Sequence, residues 1–314
     1  MKSFLQLKSS SFQLLSLFVL SLLLAATLGC SMSSASAPRP NNGPPPPSGV
    51  VPVFSQVIIV MEENHSYSEV IGNSQMPYLN SLTTQYGLAT QYYANTHPSI
   101  GNYFELTTGQ LVSNNDSFGG TVSVDNIVRH LITAGKTWKS YAESIPHPGY
   151  TGGDSYPYVK HHNPFAYFTD VVNSSTEVNN LQSLTVFNQD EANGQLPNFS
   201  FLVPNLLDDG HDGTLQMADL WLQQNLANVI SSPSFQQNGL LIILFDEADT
   251  NDSTNGGGHV AEVIISPKAK QDYKSTTQFQ HQSTLRLILE GLGVPNVASY
   301  PASASTAPAM GEFF

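Results

Sequence analysis

Cysteine is almost absent: Cys30 is the only one in 314 residues, so no disulfide can form within the chain. Positive charge is also scarce. Lys and Arg number 11 against 24 Asp and Glu, a formal net charge of −13 with histidine neutral. That balance argues against nucleic acid as a partner, because phosphate backbones are held by clustered Lys and Arg. Charged residues of either sign make up only 11%, so Ser, Thr, Asn and Gln have to finish the surface. There is no internal repeat and no second linker, and 40% hydrophobic residues suffice for one sizeable α/β core.

The longest apolar run, Leu14 to Leu28, follows Lys2 and Lys8 and leads into Gly29-Cys30. It is too short and wrongly flanked for a membrane span and reads as a targeting segment, residues 1–29. A cysteine directly after such a run resembles a bacterial lipoprotein signal, in which that cysteine is lipidated and becomes the mature N-terminus. Thr27 stands where Leu is usual, and ordinary secretion is the alternative. Either outcome puts the protein in a secreted, periplasmic or cell-envelope location, with membrane contact only through a lipid on Cys30. Residues 30–52 form a Ser/Pro tract that cannot bury a core and reads as a tether. The folded domain is expected over 53–314.

The domain is organised around Leu240 to Phe245, an unbroken apolar run that suits a strand buried on both faces. Asp246 and Glu247 follow at its end, the edge at which open α/β sheets bind ligands. Val57 to Val60 likewise runs into Glu62, Glu63 and Asn64. Phe199 to Val203 runs into Asn205, Asp208, Asp209, His211 and Asp212. Three strands that deliver oxygen and nitrogen donors at one end predict a site for divalent metal, of unspecified identity and number. The spacing predicts helices over 76–86, 124–134, 217–230 and 282–292, a helix within 176–188, and strands over 137–141 and 260–266. Residues 146–170 read as loop. Strands alternating with helices predict an α/β fold, a three-layer α/β/α sandwich with a mostly parallel central sheet. After a loop at Ala94, a further helix opens near Ser99, whose hydroxyl sits among unpaired N–H groups where an anion is favoured.

The stretch HPSIGNYFELTTG, His97 to Gly109, resembles the nucleophile segment of phosphoesterases in the alkaline phosphatase superfamily. There a Ser or Thr is followed three residues later by Asn and ten later by Gly, as are Ser99, Asn102 and Gly109. The MEEN segment, KHHNPFAYF from Lys160 to Phe168, the PN…DDGHD segment and FDEAD resemble the branch that holds bacterial acid phosphatases and phospholipases C. The resemblance implies an alkaline phosphatase-like fold and metal-dependent hydrolysis of a small-molecule phosphate ester. It implies Glu63 and Asn64 as metal ligands, Ser99 as nucleophile and ligand, and Asp246 and Glu247 as the paired acids. His259 would contact the phosphoryl group or a metal. The chain departs from the family at Gly101, where Pro is common, and at Asp208, where Asn is frequent. Asp208, His211 and Asp212 are the ligands expected from that loop, with Asp209 left open beside them.

These residue types suit the chemistry. An unassisted serine hydroxyl is a poor nucleophile, and a divalent cation both lowers its pKa and neutralises charge on the phosphoryl oxygens. Carboxylate and amide oxygens form a hard ligand set. Asn102 is expected to donate to a nonbridging oxygen, with His97 and His161 as further substrate contacts. His162 and His259 are the expected catalytic histidines, since an imidazole can protonate the leaving alkoxide. Attack by Ser99 would leave a phosphoserine for water to hydrolyse. Each assignment has a plainer competitor. Ser99 can serve as a helix cap, Asp208, Asp209 and Asp212 as caps for the helix containing Trp221, and the paired histidines as ordinary loop residues. His65, His130, His147 and His281 are read as structural. Monoester hydrolysis is the first expectation, with phospholipase C or another phosphodiesterase as alternative. A sulfatase is disfavoured because Ser99-Ile100-Gly101-Asn102-Tyr103 lacks the Cys/Ser-x-Pro-x-Arg pattern. A non-catalytic binding protein on the same fold would not need Glu63, Asn64, Ser99, Asp246, Glu247 and His259 to meet in one pocket.

Overall fold

The computed structural model describes residues 49–314. The expected targeting segment, Cys30 and most of the expected tether lie outside the described residues. Along the chain come β1 (Gln56–Glu62), α1 (Tyr67–Val70), α2 (Pro77–Gln85), β2 (Gly87–Tyr93), α3 (Ser99–Thr108) and α4 (Ile127–Thr133). Then follow β3 (Trp138–Ala142), α5 (Thr169–Val172), β4 (Leu181–Ser183), α6 (Leu184–Ala192) and β5 (Phe199–Val203). The last third holds α7 (Leu215–Ser231), α8 (Pro233–Asn238), β6 (Gly239–Phe245), β7 (His259–Ile265), β8 (Tyr273–Ser275) and α9 (His281–Gly291).

The eight strands form one sheet in the order β4-β3-β5-β1-β6-β7-β2-β8. β1 lies at its middle, parallel to β5 on one side and to β6 on the other. Only β7 runs the other way, antiparallel to both β6 and β2. The apolar runs explain the central positions. Every residue of β1, β5 and β6 is buried, as a strand covered on both faces demands. Removing most of one such side chain, as in Ile242→Ala, would cost about 2–5 kcal/mol.

Helices flank the sheet in two groups, one with α2, α7 and α8 and one with α3, α4 and α9, giving an α/β/α sandwich. On α7, Asp219 is buried and its two carboxylate oxygens accept the N–H groups of Tyr78 and Leu79 at the start of α2 (2.9 and 2.8 Å). A carboxylate there satisfies orphan donors and faces the positive end of the helix dipole. Across the other group, Gln282 of α9 donates to Glu105 of α3 (2.7 Å).

Several elements go beyond the sequence pattern. β2 and β8 were not expected, because GLATQYY and YKS carry neither an apolar run nor clean alternation. Residues 176–188 divide into a 3₁₀ turn, β4 and the start of α6. Within the segment read as loop, Lys160–His162 and Pro164–Ala166 form 3₁₀ turns that carry buried Phe165 and His162 into the core.

Candidate active site

The site lies at the C-terminal edge of β1, β5 and β6, and the strands place it. β1 ends at Glu62, β6 at Phe245, and the two residues pair in register. Glu63 and Asp246 therefore emerge side by side. Backbone bonds hold the turns together: Asp246 N–H donates to Glu62 O (3.0 Å), and Glu63 N–H donates to Asp209 O after β5 (2.9 Å). Asp246 Oδ1 accepts from the N–H of Asn64 (3.2 Å) and of Glu247 (2.6 Å). Asn64 has φ 49°, a left-handed conformation that Asn tolerates better than most residues.

Ser99 is the first residue of α3 and is buried. Its Oγ donates to Glu63 Oε2 (3.1 Å), and it also favours the charged forms of Asp246 and Glu247. The loop ahead of it is held from two sides. Asn102 Oδ1 accepts from Asn95 N–H (2.9 Å) and Thr96 N–H (3.2 Å), and its Nδ2 donates to Thr96 O (2.8 Å). From the other side the Gly-rich loop presses in. Gly257 N–H donates to Ala94 O (3.1 Å) and Ala94 N–H to Gly258 O (3.0 Å). A Cβ at Gly256 would fall 2.0 Å from Asn95 O, so only glycine permits this approach. At Gly101, where the family often has Pro, a Cβ would meet Thr96 Cγ2 at 2.4 Å.

Glu63 is the most heavily engaged acid. Tyr103 Oη donates to its Oε1 (2.5 Å), and His162 Nε2 stands 3.3 Å from the same oxygen. His162 Nδ1 lies 3.5 Å from Asp209 Oδ2. Burial pushes His162 down to about 3, with His211 adding to the effect. The ring is therefore neutral and offers one N–H to two carboxylates. Burial also raises Glu63, reinforced by Asp246 and Asp209. It raises Asp246 and Asp209, and it raises Glu247, where Asp246 and Asp116 repel further. Four acids thus crowd where their charges oppose one another.

The other expected residues separate into those at the cluster and those beside it. His97 Nδ1 lies 3.0 Å from Glu247 Oε2, and its Nε2 donates to Asp252 O (3.0 Å). His161 packs against His162, and burial lowers it to about 4. Asp208 interacts with Glu143 and Asn205, and His211 pairs with Asp212 (2.8 Å) at the partly exposed rim. From that loop Asp209 is the acid that reaches His162. The His259 ring stacks between Tyr67 and Tyr93, and its Nε2 donates to Thr90 O (3.0 Å). Asn102 is fully buried and spent on the loop backbone, with only a 3.5 Å reach to Glu247 Oε2. The N-terminal anion position of α3 also holds a protein group: Ile100 N–H donates to Asp116 Oδ1 (3.0 Å).

Tyr103 carries more than its sequence position suggested. Helical spacing put it on the apolar face of α3, and it does stack on His162 (ring centroids 5.1 Å), yet its hydroxyl holds Glu63. Glu62 is fully buried with neither carboxylate oxygen hydrogen-bonded, and burial followed by Asp209 raises its pKa.

Among the described residues no three His, Cys, Asp or Glu side chains stand close enough together to hold a metal ion as they are. The donor chemistry nonetheless suits one. Asn64 Oδ1 and Asp246 Oδ2 are buried without a hydrogen-bond partner, a costly state, and a divalent cation would offset the repulsion among the four acids.

A sequence model of the Phosphoesterase family matches residues 73–295. The chain belongs to that family. Among its relatives is the probable acid phosphatase of Kluyveromyces lactis, 30% identical over 262 residues, covering 80% of this chain and 61% of that protein. The phosphatidylinositol-3-phosphatase of Mycobacterium tuberculosis is 32% identical over 205 residues, covering 64% of this chain and 66% of its own length. The chain thus spans about three-fifths to two-thirds of these relatives. A solved alkaline phosphatase superfamily protein from Vibrio parahaemolyticus aligns with TM-score 0.56 and 14% identity, over 79% of this chain and 68% of that one. That likeness shows that the two chains share a fold.

Proposed function

We propose that this phosphoesterase family member hydrolyses phosphate esters, phosphomonoesters first, with Ser99 as nucleophile. One observation carries the proposal: a buried serine at a helix start, 3.1 Å from Glu63 Oε2, with Asp246 and Glu247 close enough to interact with it. A capping serine has no use for three buried acids. Glu63, Asn64, Ser99, Asp246 and Glu247 are the residues that would hold a divalent cation. Bound there, the cation would supply Lewis acidity to the serine oxygen and to the phosphoryl group.

The chain's own side chains account for the rest. Glu63 accepts the Ser99 hydroxyl proton's hydrogen bond and aims the oxygen. Tyr103 fixes Glu63 from the other side. His97, whose Nε2 faces Asp252 O and whose Nδ1 faces Glu247 Oε2, orients Glu247, and His162, held neutral by burial, is likewise a positioning residue. In-line attack by Ser99 on phosphorus, its proton passing to Glu63 Oε2, breaks the ester bond, the leaving oxygen takes a proton from water, and the phosphoserine is then hydrolysed by a second water. Ser99→Ala, folded normally by circular dichroism, is expected to lose hydrolysis of an aryl phosphate. Full retained activity would reject the proposal.

A lipid phosphomonoester is the second substrate class. It is favoured by exposed Tyr156 and Leu207 beside the Asp208–Asp212 loop and by the likeness to the mycobacterial phosphatidylinositol-3-phosphatase. Export is proposed on the targeting segment and lipid anchoring on Cys30; labelling with a radioactive fatty acid, lost in Cys30→Ser, is the check.

A further inference from the structure

We propose that Glu262, Thr284, Tyr92 and His281 form a buried, one-directional hydrogen-bond chain that positions the backbone of Asp246 and Glu247. The inference rests on the reading of that pair as part of the site. None of the four belongs to the acid cluster. They come from β7, α9 and β2, and all are completely buried. Thr284 Oγ1 lies 2.6 Å from Glu262 Oε1 and 2.7 Å from Tyr92 Oη. Tyr92 Oη lies 2.9 Å from His281 Nδ1, and His281 Nε2 lies 2.7 Å from Asp246 O.

Four contacts in series need four hydrogens, and elimination sets the direction. The Asp246 carbonyl can only accept, so His281 Nε2 carries a hydrogen. In a neutral ring Nδ1 then accepts, and the hydrogen comes from Tyr92. The Tyr92 oxygen is left to accept from Thr284. Thr284 has only one hydrogen, so the contact with Glu262 is filled by a proton on Glu262 itself. Glu262 is therefore a neutral carboxylic acid that donates. If it were ionised beside a neutral His281, one contact would set two acceptor oxygens against each other. Passing its proton along the chain to His281 would separate two charges in a dry interior, which is strongly disfavoured. Burial raises Glu262 to about 8, in line with the neutral form.

The consequence reaches the site through a single carbonyl. Asp246 N–H is fixed by Glu62 O of β1 and its Oδ1 by two N–H groups, whereas its C=O accepts, among the described residues, from His281 of α9. That carbonyl belongs to the peptide joining Asp246 to Glu247, so its orientation sets both side chains. Comparable supporting hydrogen bonds are worth about 10–100-fold in activity.

Two substitutions at one position separate positioning from mere packing. Glu262→Gln keeps an N–H that can donate to Thr284; Glu262→Met keeps the volume without it. On an aryl phosphate, kcat of Glu262→Met and of Tyr92→Phe is expected to fall about tenfold with KM little changed, and Glu262→Gln to stay near wild type. Equal kcat for the Gln and Met variants would overturn the proposal. ¹⁵N NMR of the wild-type His281 ring tests the direction without any assay and survives a variant that fails to fold. A neutral ring with hydrogen on Nε2 is expected, and hydrogen on Nδ1 would overturn the chain. Should the wild type show no phosphatase activity, the proposed function fails and the ring spectrum still decides the chain.

Discussion

Glu63 and Glu262 are both fully buried acids on the central sheet, one just past the end of β1 and one inside β7. Their surroundings differ. Glu63 receives Ser99 and Tyr103 and has Asp246, Asp209 and Glu247 as like-charged neighbours. Glu262 has one partner, Thr284, with Oε2 unpaired and no second acid among the causes of its shift. A lone buried carboxyl resolves its desolvation by keeping a proton. The crowded carboxyls have a different remedy under the proposed function, a cation held by Glu63, Asp246 and Glu247, and it is beside these that the Ser99 hydroxyl lies.

The largest effect expected from breaking the first region is Ser99→Ala, with kcat/KM on an aryl phosphate down at least roughly a thousandfold and the melting temperature little changed. Chelation comes next: activity should vanish and the melting temperature fall, both restored by adding back a divalent ion, whereas a chelator-proof enzyme would remove the cation from the account. Asp246→Asn sharpens the contrast because it takes one like charge from the cluster. Activity should drop by more than about a hundredfold, yet in metal-stripped protein the melting temperature should rise; a fall would mean that Asp246 is stabilising without metal. Tyr103→Phe is milder, about tenfold in kcat/KM, because Glu63 keeps Ser99 and His162.

In the second region, Glu262→Gln predicts a pH effect with little change in activity. Glu262 is raised from 4.5 to about 8 when folded, so between those values the native state holds the extra proton. Its contribution to stability is full below about 4.5 and is lost as pH rises through the folded value. Glu262→Gln should therefore flatten the fall in melting temperature between pH 5 and 8; an unchanged slope would show Glu262 ionised.

Much of this was legible in the chain. The apolar runs at 57–60, 199–203 and 240–245 announced the three central strands, and strand ends are where acids converge, so Glu63, Asn64, Asp246 and Glu247 followed directly. The resemblance of the segment around Ser99 to a phosphoesterase nucleophile segment singled out Ser99 for the role proposed above. What stayed hidden depends on rotation and register. In the run Asp208-Asp209-Gly210-His211-Asp212, composition cannot say which acid turns inward; the turn leaves Asp209 facing His162 and Asp208 facing Glu143. Asn102 had the spacing of a substrate donor, and the structure shows its Oδ1 and one Nδ2 hydrogen engaged with the backbone of Asn95 and Thr96. His259 is placed at the right edge because β7 runs antiparallel, yet its ring is held between two tyrosines. Tyr103 looked apolar because helical periodicity registers a ring and overlooks its hydroxyl. Glu262 sits amid the apolar residues of β7, and nothing local reveals that Thr284, 22 residues later, meets it.

The central claim is that Ser99 Oγ takes the phosphoryl group. Rapid acid quenching during turnover of a ³²P-labelled monoester, followed by peptide mass spectrometry, tests it directly. The account predicts a phosphorylated peptide with the modification on Ser99 and no label in Ser99→Ala; full turnover with an unmodified Ser99 peptide, or label retained by Ser99→Ala, would contradict it.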